Sequence, residues 1–193
     1  MPDNTAKLKK IKNAVIACQK CGLCKTRTNP VIGEGNHQAK ILFVGEAPGA
    51  EEDRQAKPFC GRSGQFLTEL VESIGLKRAD VYICNLLKCR PPGNRDPQPD
   101  EITICTQYLK KQIEIIKPQI VCSLGRYSMQ FLMEKLGLGS QLKSISQIHG
   151  QIFTTKEWIA NIKFIPFFHP AVAVYNSDMK EALLNDFRLL KKI

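Results

Sequence analysis

Three residues able to do chemistry each follow directly on a short apolar run. Glu46 comes after residues 41–44 and a glycine, Asn85 after 81–84, and His169 after 162–168. A carboxylate, a carboxamide and an imidazole can together stabilise charge, read a hydrogen-bonding edge and supply or hold a proton. Each has a plainer use alone: Glu46 as a helix cap, Asn85 as the holder of a turn, His169 as a satisfied histidine beside Pro170. Placed at equivalent ends of separate parallel strands, they would face one crevice, the usual ligand site of an open sheet. The loop Gly45-Glu46-Ala47-Pro48-Gly49 also lets a backbone approach a ligand closely. There is no Gly-x-Gly-x-x-Gly before a helix and no Walker-type Lys-Ser/Thr pair, so no nucleotide cofactor is expected.

A second set of candidates is sulfur. The chain has 8 cysteines. Nothing at its amino terminus reads as a signal peptide, and no apolar stretch approaches the roughly 20 residues of a membrane span, so the expected compartment is the cytosol and no membrane is expected as a partner. Thiols in that compartment favour metal ligation over disulfides. Cys18-x-x-Cys21 is a two-ligand clamp that needs a second pair from Cys24, Cys60, Cys84, Cys89, Cys105 and Cys122. Cys84 and Cys122 fall inside apolar runs and read as core. Cys89 lies in a loop and Cys105 early in the following helix, a pairing that can bring two thiolates together, and Cys24 could replace one member. The residues alone leave zinc and an iron-sulfur cluster open, with zinc slightly favoured as the commoner structural ion.

The elements that must position these groups follow from periodicity. Helical spacing is expected over 6–17, 66–74, 101–116, 127–136 and 179–190, and strands over 41–44, 81–84, 120–124 and 162–168. Residues 152–154 read as a strand outside the alternation, and 137–147 as a mobile loop. The alternation predicts one α/β domain over residues 1–193, with three layers, α/β/α, around a mostly parallel four-stranded sheet. Lys and Arg outnumber Asp and Glu by 28 to 18, a formal net charge of +10. That surplus suits a polyanion such as nucleic acid, and suits solubility equally well.

The ordered motifs resemble one family. Cys18-x-x-Cys21 is followed by Arg27-Thr28-Asn29, Gly33-Glu34-Gly35-Asn36, Gly45-Glu46-Ala47-Pro48-Gly49, Glu51-Glu52-Asp53, Pro58-Phe59 with Gly61-Arg62, Val81-Tyr82-Ile83-Cys84-Asn85, Lys88-Cys89-Arg90-Pro91-Pro92 with Asn94-Arg95, and Phe168-His169-Pro170-Ala171. Across nearly the whole chain this resembles the family 4 uracil-DNA glycosylases, the iron-sulfur class of bacteria and archaea. The resemblance implies a [4Fe–4S] cluster on Cys18, Cys21, Cys89 and Cys105, in place of zinc, with Cys24 a bystander. It also implies DNA repair by base excision: a monomer that flips uracil out of DNA and hydrolyses its bond to the sugar.

Under that resemblance Phe59 stacks on the uracil ring, Asn85 reads its O4 and N3–H, His169 donates to O2 of the departing anion, and Ala47 lies beside the ring. Glu46, Glu52 and Asn94 share the task of stabilising the cationic sugar or orienting the water, unranked. Three departures stand out. Ala47 replaces a frequent glycine, residues 172–176 (Val172-Ala173-Val174-Tyr175-Asn176) stand where relatives commonly carry wedge leucines, and the loop 144–150 has Gln147 and His149 in place of Lys and Arg. Two rival functions are a non-catalytic DNA-binding module using the same cysteines and basic surface, and a glycosylase preferring another base such as hypoxanthine.

Overall fold

The computed structural model describes residues 4–155, 162–174 and 176–192. Among them run the strands β1 (Glu34–Gly35), β2 (Ile41–Gly45), β3 (Tyr82–Asn85), β4 (Ile120–Leu124), β5 (Phe153–Thr154) and β6 (Lys163–Phe167). They form one sheet in the order β1-β3-β2-β4-β6-β5. The middle four are parallel, as the alternation requires, and the two-residue β1 and β5 pair antiparallel on the outer edges. The expectation of four strands is thereby corrected to six. The segment expected outside the alternation supplies β5, whereas β1 carries no two-residue signal to find. Its Gly35 has φ +120°, and a Cβ there would collide with the Val81 carbonyl, so β1 exists by virtue of a glycine.

The helices are α1 (Asn4–Ile16), α2 (Ala50–Gln55), α3 (Arg62–Ser73), α4 (Pro99–Ile116), α5 (Arg126–Lys135), α6 (Ile145–Ile148) and α7 (Ser177–Arg188). Short helices α2 and α6 escape the periodicity reading because fewer than two turns cannot show a 3.6-residue repeat. The region expected as a mobile loop, 137–147, instead holds a 3-10 turn at Gly139–Gln141 and the start of α6. Helix α4 starts with proline at its first position, and the Glu101 carboxylate accepts the Gln98 N–H at 2.9 Å, so both ends of the capping logic are met.

Strand parity divides the core. Leu42, Val44, Tyr82, Cys84 and Val121 face α1, α4 and α5, meeting Leu8, Ile11, Leu109, Ile113 and Leu132. Their neighbours Ile41, Phe43, Ile83, Cys122 and Leu124 face α3 and α7, meeting Leu67, Leu70, Leu183 and Phe187. Each such buried side chain contributes about 1.5–3 kcal/mol, and the two faces produce the expected three layers. No helix among the described residues is long and apolar enough to cross a membrane.

Candidate active site

Strands β2 and β3 end in register, Gly45 opposite Asn85. Asn85 is 2% exposed, and its Oδ1 has no hydrogen-bond partner among the described residues. Buried acceptors are nearly always paired, so an orphan at a strand end is where a ligand donor belongs. Gly45 makes the room: a Cβ there would lie 2.3 Å from Asn85 Oδ1 and 2.6 Å from Phe59 Cζ. Phe59 itself adopts φ +48°, with its backbone pressed against Gly64, where a Cβ would collide with the Phe59 carbonyl.

His169 follows β6. Its Nδ1 accepts the Ala171 N–H at 3.2 Å, which assigns the ring proton to Nε2. Burial brings its pKa down to about 4, with the Glu52 carboxylate acting weakly the other way. The imidazole is therefore neutral at pH 7, with one N–H to donate. The rings of Phe59 and His169 lie 5.6 Å apart at 30°.

Glu46, Ala47, Glu52, Phe59, Asn85, Asn94 and His169 all line one cavity of about 370 Å³, within the size range of small-molecule sites. Ser63 and Arg95 join them. Ser63 carried no signal in the sequence beyond following Gly61-Arg62. Arg95 is bound to Glu101 through both carboxylate oxygens, at 3.0 and 2.6 Å, which fixes the loop before α4.

The polar groups around the cavity differ in how they are committed. Glu46 has no side-chain hydrogen bond among the described residues, and its pKa is raised by burial and then by the Asp96 carboxylate, with Arg126 opposing. Glu52 is fully engaged: Oε2 accepts from Gly49 N–H at 3.1 Å, and Oε1 from Cys60 and Gly61 N–H at 3.0 and 3.1 Å. Asn94 has φ +56°, and its Oδ1 accepts from Arg90 Nε at 2.7 Å.

A separate, smaller cavity is lined by Cys18, Cys21, Cys24, Cys89 and Cys105. The four expected ligands thus converge, with Cys24 beside them. Cys84 and Cys122 are fully buried in strand interiors, and Cys60 sits near Glu52. Arg27 Nη1 donates to Cys89 Sγ at 3.0 Å, and the Lys88 N–H donates to Cys105 Sγ at 3.2 Å. Burial raises the thiols of Cys21 and Cys89, and that of Cys105 to about 12; a bound cation inverts such a preference. An all-sulfur donor set with N–H groups aimed at two of the sulfurs fits a thiolate-held centre. Among the described residues no three His, Cys, Asp or Glu side chains already stand at metal-holding spacing.

The two cavities are tied together. The Arg27 guanidinium also holds the carbonyls of Val15, Ile16 and Cys18. The next N–H groups, of Thr28 and Asn29, bind the buried Asp53 carboxylate on α2 at 3.0 and 3.3 Å. The cysteine loop is thereby braced against the helix that follows Glu46.

A family model described as the uracil DNA glycosylase superfamily matches residues 32–188. The chain belongs to the uracil DNA glycosylase superfamily. Within that superfamily it is 47% identical over 183 residues to the type-4 uracil-DNA glycosylase of Saccharolobus solfataricus, covering 94% of this chain and 84% of the relative. It is 45% identical over 187 residues to that of Sulfurisphaera tokodaii, covering 96% and 84%, and 41% identical over 183 residues to that of Thermotoga maritima, covering 94% and 91%. A Methanosarcina acetivorans protein solved by NMR shares the fold at 15% identity, with a TM-score of 0.51 over 85% of this chain and 98% of that one.

Two departures from the glycosylase family pattern are visible in place. Gln147, exposed on the surface, caps its own short helix by accepting from the Ser144 N–H and hydroxyl at 3.2 and 2.9 Å, and His149 Nδ1 lies 2.7 Å from Asp186 Oδ2. Of the segment standing where relatives carry wedge leucines, Val172 is exposed, while Tyr175 lies outside the described residues.

Proposed function

We propose that this chain excises uracil from DNA through the 370 Å³ cavity, and the observation that carries the reading is the unpartnered Asn85 Oδ1 buried in its wall. A base must leave the duplex stack to be reached. Once everted, uracil presents N3–H to that orphan oxygen and O4 to the amide N–H of Asn85. Cytosine presents a lone pair at N3 instead, which meets the same oxygen with repulsion. Phe59 supplies the stacking face, and the exposed Val172 is placed next to His169 and Ala171 to fill the space the base leaves.

Cleavage of the bond between N1 and the sugar leaves the electron pair on uracil and positive charge on the sugar. The Nε2–H of neutral His169 donates to O2 of the departing anion, which lowers the barrier because the charge develops against a donor already in place. Water then attacks the sugar carbon and gives up a proton. Glu46 is the carboxylate free to take it, since Glu52 spends both oxygens on backbone N–H groups and Asn94 is held by Arg90. Glu52 positions the loop bearing Phe59, and Asn94 shapes the mouth. The products are free uracil and an abasic site.

Cys18, Cys21, Cys89 and Cys105 would hold a [4Fe–4S] cluster, with Arg27 donating to the Cys89 sulfur and the Lys88 N–H to the Cys105 sulfur. When bound, the cluster supplies a cross-link between the amino-terminal loop and the segment after Asn85. The working unit is a single domain acting as a monomer on uracil-containing DNA.

The test is incubation of the protein with a duplex carrying one uracil, followed by alkali. A break at the uracil position and released uracil are expected. An intact strand would overturn the enzyme in favour of a binding module, and cleavage faster at hypoxanthine would overturn the choice of base.

A further inference from the structure

Lys88 is the buried titratable group that this mechanism leaves unused. It is 1% exposed, and none of the ion pairs among the described residues involves it. Its Nζ donates to the main-chain carbonyl of Asn85 at 2.8 Å and to Gln112 Oε1 at 2.7 Å. Gln112, wholly buried on α4, donates onward through Nε2 to the Ile32 carbonyl and to Tyr82 Oη, both at 3.0 Å. The Lys88 backbone is fixed as well: its N–H goes to Cys105 Sγ and its carbonyl accepts from Val31 N–H at 2.7 Å.

Burying an ammonium among neutral acceptors is costly, and a methionine would fill the same volume without that cost. Lys88 also lines the cysteine cavity, but its two Nζ hydrogen bonds point to the strand end: the ammonium grips the peptide whose side chain carries the orphan oxygen. We infer that Lys88 is a positioning residue for uracil recognition, holding the Asn85 backbone through the Lys88–Gln112–Tyr82 chain so that the carboxamide meets the base edge at a fixed angle. The inference rests on the uracil-excision reading and deepens it. A chain of satisfied polar groups in a core specifies one arrangement more sharply than apolar packing does, and recognition by two hydrogen bonds needs that sharpness.

The experiment compares the parent, Lys88→Met, Asn85→Ala and the double variant by single-turnover excision, inhibition by free uracil, thermal unfolding and iron per chain. For folded Lys88→Met with parental iron, KM and the uracil inhibition constant should rise about tenfold, the equivalent of one net hydrogen bond, with kcat changed by no more than about threefold. In the Asn85→Ala background the same change should add nothing, because a residue acting through Asn85 has nothing left to act on. Parental uracil affinity in folded Lys88→Met, or full additivity in the double variant, overturns the inference while leaving the excision reading intact. An inactive parent overturns both. If Lys88→Met does not fold, Gln112→Met removes only the second acceptor; a rise of about threefold in the uracil inhibition constant is expected there, and an unchanged constant overturns the role.

Discussion

At the scale of single residues, what decides the chemistry is which polar atoms are already committed. Asn85 offers an unpaired acceptor, and Asn85→Ala should lower kcat/KM by about a hundredfold, two hydrogen bonds at roughly 1.5 kcal/mol each, without changing the melting temperature. Gly45→Ala places a methyl against Asn85 Oδ1 and the Phe59 ring and should abolish uracil inhibition in a folded protein. Phe59→Ala should weaken uracil binding by about 1–3 kcal/mol, measured by the same inhibition. The pH profile separates the two reacting groups. With a folded pKa of about 4, His169 stays neutral through the whole neutral range and gives no limb near 6.5. The acid limb belongs to Glu46, displaced above the ordinary carboxylate value by burial, and activity should fall as pH drops through it. A limb centred near 6.5 that disappears in His169→Gln would contradict this. The stability sign follows from the same value. Between about pH 6.5 and 4 the unfolded chain takes up a proton at position 169 that the folded chain refuses, so this residue lowers stability as pH falls across that window and changes nothing above it.

At the scale of elements, the loops between strands and helices line most of the cavity, and they were the least legible part of the sequence. The four central strands and five long helices follow from periodicity because each buries a continuous face. The edge strand β1 and the helices α2 and α6 do not, being too short to repeat. That Glu46, Asn85 and His169 share a site was readable from strand-end position alone. That Glu52 braces a loop while Glu46 stands free was not, since both are acidic residues in one motif and only the backbone N–H groups around Glu52 tell them apart. The same limit applied to Lys88, a lysine in a cysteine motif with nothing in its neighbours to announce burial. The cysteine loop and the 89–98 loop are expected to depend on each other. If Cys89 is a ligand of the proposed cluster, Cys89→Ser should hold less iron per chain than the parent and raise KM for DNA more than it lowers kcat, and an iron content equal to the parent's would remove Cys89 from the ligand set.

At the scale of the whole molecule, the charge of +10 sets how the protein meets its polymer. The logarithm of the binding constant for undamaged DNA should fall linearly with log salt, with a slope of about 0.9 per phosphate neutralised, whereas inhibition by free uracil should be nearly independent of salt. Composition announced that surplus but could not say where it lies. Arg27 and Lys88 show why, since both cations are spent on partners within the protein. The sheet imposes a further constraint through its parity. Asn85 projects to the α3/α7 side with Ile83, while Cys84 projects to the opposite side beside the cysteine-bearing loops. Adding or deleting one residue within 82–85 would exchange those two directions at a stroke, turning the Asn85 amide away from its cavity and toward the cysteine loops. Descent with modification can therefore alter this strand by substitution but not by length, and insertions tolerated in related chains must collect in the connections outside it.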